Sequence, residues 1–308
     1  MFLIHLLNGE NLSQKKFKKM LYPNSIAFAI ITYYPKWYKG KLKNYSQTDK
    51  IRGDLALEFI RKAISLGFQL VVADGKSSKN FKKQLKKFDI KIIKRLSPKR
   101  SPAKRQAFKV ASKIIGVKVI VACEPEKISA LDSVQIFTKP ILENKADIVV
   151  LKREQSLFKE TYPDYMYESE MEGNRLYNEQ LKLNKLLKGA YEFDIFFGPK
   201  AFSNSSKILS LFTKKFSFST NTQKSQEEYF DPEENSNALY FPIVTALQKG
   251  FRVKSVEIPF SYPKLQKLNE VIGARKFYIK KRYNHRKEAL RELMYLLDYL
   301  QRQKSIVS

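Results

Sequence analysis

One cysteine, Cys123, stands among the 308 residues, so no internal disulfide can form. There are two histidines, His5 and His285, and no motif stands behind either. No apolar run approaches the roughly 18–20 residues of a membrane span. The opening "MFLIHLLNGENLSQKK" has only a brief apolar stretch, no basic leader and no small-residue cleavage site. The expectation is a cytoplasmic protein without a secretion signal. No internal repeat is present. Acids are also scarce: 30 Asp and Glu against 58 Lys and Arg, a net charge of +28.

What is abundant excludes disorder. Hydrophobic residues are 43% and aromatics 13% of the chain, enough at this length to bury a sizeable core. The positive field attracts polyanions: nucleic acid, anionic lipid headgroups or nucleotide diphosphates. A bias toward Lys, Asn, Ile, Phe and Tyr gives the same excess without a ligand. Net charge speaks to association rather than fold.

Apolar patterning gives the order of elements. "IAFAIIT" at 26–32 and "FQLVVAD" at 68–74 are buried strands. Between them Leu55, Phe59, Ile60, Ala63 and Ile64 recur at helical spacing, closed by Gly67. Phe81, Leu85 and Phe88 mark a short helix with a lysine-covered outer face. Strands follow at 90–93, 117–122 and 147–151. The helices between them run from the Ser101–Pro102 start to Gly116 and through roughly 127–143. Beyond 152 come a long polar helix and an apolar Gly-Pro turn at 193–202. A Ser/Asn/Gln/Glu-rich loop then fills 203–237, expected to be mobile. A helix over 238–249, a strand from Phe251 and a basic amphipathic tail complete the chain. Leu290, Leu293, Leu297 and Leu300 share one face of that tail. Such alternation predicts an α/β fold: a Rossmann-type, mostly parallel sheet with helices on both faces.

In open sheets of this kind ligands bind outside the carboxyl ends of the strands. Three such ends draw notice: "TYYP" at 32–35, "VVADGKSS" at 71–78 and "CEPE" at 123–126. Two of them carry acids. With "SPAKRQAF", "KADIVVLKRE", "FGPKAF" and "FPIVTALQKGFRVKSVEIPFSYP", these pieces stand in an order that resembles the GT-A class of nucleotide-sugar glycosyltransferases, family-2-like and divergent. The resemblance covers about residues 25–262. It implies a catalytic domain there, a lead-in over 1–24 and a basic helical tail over 263–308.

The resemblance further implies a nucleotide-sugar donor, an acceptor it does not identify, and Mg2+ or Mn2+. Tyr33, Tyr34 and Pro35 would form the nucleotide-gripping loop. Asp74 would contact the nucleoside, though a turn-closing role fits it equally. Lys104 and Arg105, at a helix start suited to phosphate, would meet the donor. Glu124 and Glu126 occupy the place of the Asp-x-Asp metal motif, with late His285 as a third ligand; a solvated turn is the alternative. Glu170 and Asn174, at i and i+4, and Asp194 before "FFGP" are candidates for acceptor contact or for a displaced base.

The chain departs from the family's pattern. Ala73 replaces the first acid of the usual pair before Gly75, and the usual place of the inverting base reads "ALYFP". The nearest acids are Glu227, Glu228, Asp231, Glu233 and Glu234. Transfer with retention, a different base and lost activity are all open, with Glu170, Asp194 and Arg105 as catalytic candidates. Alternatives are a nucleotidyltransferase and a non-catalytic binder of nucleic acid or an anionic surface through the tail. The tail could also hold the protein at the inner face of a membrane.

Overall fold

The alternating apolar segments pair into one seven-stranded sheet. The structure, a computed structural model, describes residues 22–187, 192–216 and 236–307. In chain order the elements are β1 (Ile26–Thr32), α1 (Thr48–Ser65), β2 (Gln69–Asp74), α2 (Lys79–Leu85), β3 (Lys91–Lys94) and α3 (Arg100–Ala111). Next come β4 (Val119–Ala122), α4 (Val134–Leu142), β5 (Ile148–Arg153), α5 (Gln155–Thr161), α6 (Asp164–Leu183), β6 (Lys200–Ser203) and α7 (Ser206–Thr213). The last are α8 (Ser236–Leu239), α9 (Phe241–Gln248), β7 (Val253–Ile258), α10 (Lys264–Leu268) and α11 (Arg275–Val307).

The strand order is β3-β2-β1-β4-β6-β5-β7. β6 runs antiparallel to both its neighbours, and every other pair is parallel. The expected mostly parallel sheet with helices on both faces is what forms. The period-two alternation of side chains in a strand explains the two cores. On β1, Ile26, Phe28 and Ile30 join a core with Phe59 of α1 and Phe137 of α4. Ala27 and Ala29 face the opposite core, with Ala107 and Ala111 of α3. Small side chains on both sides let α3 lie close to the sheet, and that closeness sets where its first turn meets the rim. Truncating a buried ring such as Phe28 to Ala would cost about 3–5 kcal/mol.

Several boundaries differ from the sequence reading. α3 begins at Arg100 and ends at Ala111, with Ser101 and Pro102 inside the first turn. The expected helix over 127–143 is a 3-10 turn, Ile128–Ser133, followed by α4. The 203–237 segment, expected as loop, holds α7 and the start of α8; residues 217–235 lie outside the described residues. Amphipathic "SKILSLFT" buries Ile208, Leu211 and Phe212, a helical signal masked by the polar residues around it.

The terminal helix is part of the body. Leu293, Leu296, Leu297 and Leu300 are buried in the same core as Tyr177 and Leu181 of α6. α11 packs along α6 and touches α9. The leucine face of the tail is thus used inside the fold. Among the described residues no helix is long and apolar enough to cross a membrane.

Candidate active site

The carboxyl ends of the parallel strands share one rim, and antiparallel β6 brings its amino end to the same rim: Lys200 is the register partner of Ala122. The rim therefore gathers Thr32, Asp74, Glu124, Arg153 and the "FGPK" segment.

Asp74 ends β2, 4% exposed. Its Oδ1 accepts from Thr32 Oγ1 at 2.7 Å and from Ser77 Oγ at 2.6 Å. Ser77 Oγ in turn accepts from the Tyr34 amide at 2.9 Å, and Ser78 caps α2 by accepting from the Phe81 amide. The serines of "DGKSS" thus fix the turn, and one carboxylate oxygen does the turn-closing work. The other lies 3.9 Å from Lys82 Nζ. Burial raises the Asp74 pKa, against the hydroxyl bonds and Lys82. Asp74 lines a cleft of about 890 Å3 with Tyr33, Lys82, Ile92, Lys94 and Arg95. That volume lies within the range of small-molecule sites. Tyr33 is 54% exposed, and the Arg95 guanidinium sits 6.0 Å from its ring centre. A side chain at Gly75 would press on the Tyr33 ring, at 2.9 Å, so glycine there keeps the ring in place.

The two tyrosines have different fates. Tyr34 is buried edge-on against Phe81. Its hydroxyl donates to Glu126 Oε1 at 3.1 Å, and Arg52 lies 3.8 Å from the same oxygen. Pro35 is exposed on the loop beyond. Glu126 is therefore held to the wall beneath β1 and α1.

Glu124 points the other way. Its carboxylate lies against the Cα of Gly198, where any Cβ would run into it. Its Oε2 is buried and makes no hydrogen bond among the described residues. Burial alone would raise its pKa, but Lys104, Lys127 and Lys200 together hold it below the usual value. Lys127 Nζ lies 5.2–5.5 Å from the rings of Tyr162, Phe197, Phe260 and Tyr262. Lys200, fully buried, donates to the carbonyls of Ile195 and Phe197. Phe197 and Gly198 are thus flanked by two ammonium groups and one carboxylate.

Farther along the rim Arg153 ends β5, 2% exposed, with its guanidinium 3.5 Å above the Phe158 ring. It donates to both Asp194 oxygens at 2.7 and 2.6 Å and to Glu170 Oε2 at 2.6 Å. Arg282 of α11 donates to Glu170 Oε1 at 2.8 Å, and Asn174 Nδ2 to Asp194 Oδ1 at 2.7 Å. Burial opposes the charge on Asp194, but Arg153 and Asn174 hold its pKa down. The i, i+4 pairing of Glu170 and Asn174 does place both on this network. Asp194 accepts four bonds, so base chemistry there would need one to open; Glu170 accepts one at each oxygen, and its two guanidinium partners weaken it as a base.

Of the basic pair on α3, Lys104 is the one whose field reaches Glu124. Arg105 donates to Asn237 Oδ1 of α8 at 3.2 Å. His285 is hydrogen-bonded to the Tyr240 hydroxyl at 3.3 Å and packs edge-on against Phe196. Burial and then Arg282, Arg100 and Lys281 lower its pKa to about 3. The expected metal set of Glu124, Glu126 and His285 does not assemble: among the described residues no group of three His, Cys, Asp or Glu could hold a metal. Glu126 is taken by Tyr34, and His285 is bonded to Tyr240. Glu124 alone remains, amid lysines. His5 and the acids at 227–234 lie outside the described residues.

Sequence reasoning missed Arg52, Lys127, Lys200 and Arg282. The only signal was position: Lys127 follows "CEPE", and Lys200 ends "FGPK".

No protein-family model matches the chain, and no curated protein matches its sequence. Solved structures do match it in fold. Glucosyl-3-phosphoglycerate synthase from Mycobacterium tuberculosis, in complex with Mn2+, UDP and glucosyl-3-phosphoglycerate, is 10% identical, with a TM-score of 0.46 over 85% of this chain and 80% of that one. A mycobacterial protein is 13% identical, TM-score 0.48, over 85% and 74%. 4-Diphosphocytidyl-2C-methyl-D-erythritol synthase from Anaerococcus prevotii is 12% identical, TM-score 0.42, over 83% and 99%.

Proposed function

We propose that the protein transfers a sugar from a nucleotide-diphosphate donor to an acceptor. One observation supports this above all. A cleft of about 890 Å3 with exposed Tyr33 and buried Asp74 lies on the same rim as the lysines around Glu124. Asp74 ends β2 and Glu124 follows β4, with β1 between them. Two strand spacings, about 10 Å, separate those ends. A nucleoside diphosphate laid along the rim would stack its base on Tyr33, hydrogen-bond Asp74, and bring its phosphates to Lys104 and Lys127.

In the transfer the bond from the anomeric carbon to the β-phosphate oxygen breaks, and the bond to the acceptor oxygen forms. The electron pair leaves with the diphosphate, and the ammonium groups meet that developing charge in a buried setting where such interactions are strong. With Glu170 and Asp194 committed to Arg153, the acceptor proton passes to the departing diphosphate oxygen, and the sugar keeps its configuration. Glu170, Asp194 and Asn174 then act by positioning Arg153 on the acceptor side.

A thermal-shift panel of UDP-, GDP- and CMP-sugars tests this. A ligand at a hundred times its Kd stabilises the fold by about 2.7 kcal/mol. Tyr33→Ala, an exposed change, should abolish the shift without lowering the unliganded Tm. No shift with any nucleotide would refute the reading. NMR of the product anomer separates retention from inversion.

A further inference from the structure

The acid motif of this chain has been taken out of metal service, and its surroundings carry the opposite charge. Glu126 accepts from the Tyr34 hydroxyl and lies 3.8 Å from Arg52. His285 is bonded to Tyr240 and packed on Phe196. One carboxylate can suffice for Mg2+ when substrate phosphates complete the shell, so charge decides the matter. Glu124 is one carboxylate within the field of Lys104 and Lys127, with Lys200 a third cation only below about pH 7. Among the other acids, Asp194 and Glu170 are matched by Arg153 and Arg282, Asp74 lies by Lys82, and Glu126 and Glu270 share Arg52. A divalent cation entering there meets net positive charge; a diphosphate meets its complement.

We infer that the donor's diphosphate is neutralised by this chain's own ammonium groups, Lys104 and Lys127 at its surface and Lys200 behind them, so that donor binding needs no divalent cation. The inference rests on the nucleotide-sugar reading above. Glu124 then has a different task. It spaces and holds the lysines while the site is empty, and the phosphates replace it as their counter-charge. Lys127 Nζ donates to the Tyr162 hydroxyl at 3.3 Å and is flanked by the rings of Tyr162, Phe197, Phe260 and Tyr262, which favour a cation beside them. Lys200, with no exposed surface, acts through its field and is a positioning residue.

Calorimetric titration of the full chain with UDP and with GDP, in EDTA and then in Mn2+, tests the inference. At least one nucleotide should bind in EDTA, with its affinity unchanged by Mn2+. Lys104→Met, which keeps an unbranched chain but removes the charge, should weaken binding roughly 10–100-fold, the loss of one charge-assisted contact. Glu124→Gln should bind the diphosphate as tightly as the wild type or more tightly, because it removes a competing anion. Binding that appears only with Mn2+ and vanishes in Glu124→Gln would overturn the inference and leave the donor reading standing. Absence of binding in both conditions would overturn the donor reading, and the inference with it. The wild-type comparison holds even if Lys104→Met fails to fold.

Discussion

Replacing Lys200 by Met tests the electrostatics of the rim most directly. Lys200 has no exposed surface, and Met keeps an unbranched chain, one atom shorter, without the charge. Burial lowers the pKa of the ammonium, Asp194 and Glu124 oppose the shift, and Arg153 and Lys104 reinforce it; the result falls from 10.5 to about 7. An unfolded lysine keeps its proton to about pH 10.4. Between those values the unfolded chain binds the extra proton, so wild-type stability rises with pH by about 1.36 kcal/mol per unit. From about pH 7.5 to 9.5 the gain is about 2.7 kcal/mol. Lys200→Met lacks that slope. Below about pH 7 the wild type bears the whole cost of the buried charge, about 5 kcal/mol. Losing two hydrogen bonds to carbonyls returns roughly 1 kcal/mol each. The variant should therefore be more stable than the wild type by about 3 kcal/mol near pH 6. Its advantage should shrink steadily as pH rises. Lys281, whose pKa burial and then Arg52 also lower to about 7, is present in both proteins and cancels. Urea unfolding followed by the fluorescence of buried Trp37, the chain's one tryptophan, reads the difference at each pH. A difference that stays constant over that range, or a variant less stable near pH 6, would refute the reasoning.

Other outcomes follow from the same geometry. Arg153→Met leaves Asp194 and Glu170 buried with fewer counter-charges and should cost about 3–5 kcal/mol in denaturant unfolding; a loss under 1 kcal/mol would mean the network is looser than the distances indicate. Gly198→Ala drives a methyl into the Glu124 carboxylate. It should cost about 1–3 kcal/mol, and pairing it with Glu124→Ala should recover part of that loss in a double-mutant cycle. His285, its pKa lowered to about 3 by burial and then by Arg282, Arg100 and Lys281, stays neutral in the fold, while the unfolded chain takes up a proton below about pH 6.5. Stability from this residue is therefore present above that pH and is lost as pH falls toward 3. Its ring protons should show no NMR titration between about pH 8 and 5, and a midpoint near 6.5 would contradict the burial.

Much of the architecture is written locally. The apolar runs at 26–32, 68–74 and 147–151 could only be buried strands. The structure then divides the first of them into a wide face, Ile26, Phe28 and Ile30, and a narrow one, Ala27 and Ala29. Asp74 at a strand end, with two serines to follow, and the Glu170–Asn174 spacing were legible because local geometry fixes both. Where polar neighbours diluted the pattern, as around α7, and where the 127–143 helix broke into a 3-10 turn and α4, the local signal fell short.

What the sequence could not supply was the partner of each charge. Glu124 and Glu126 are two residues apart and look equivalent on paper. One is bound to Tyr34, 92 positions away, and the other faces lysines from α3, β6 and its own loop. Strand order decided this, because β4 lies between β1 and β6. Antiparallel β6 carried Lys200 to the rim, and α11 carried Arg282 to Glu170. Hydrophobic periodicity acts over a few residues and was readable in the chain. Electrostatic pairing acts through space, between groups that only the packed sheet brings together.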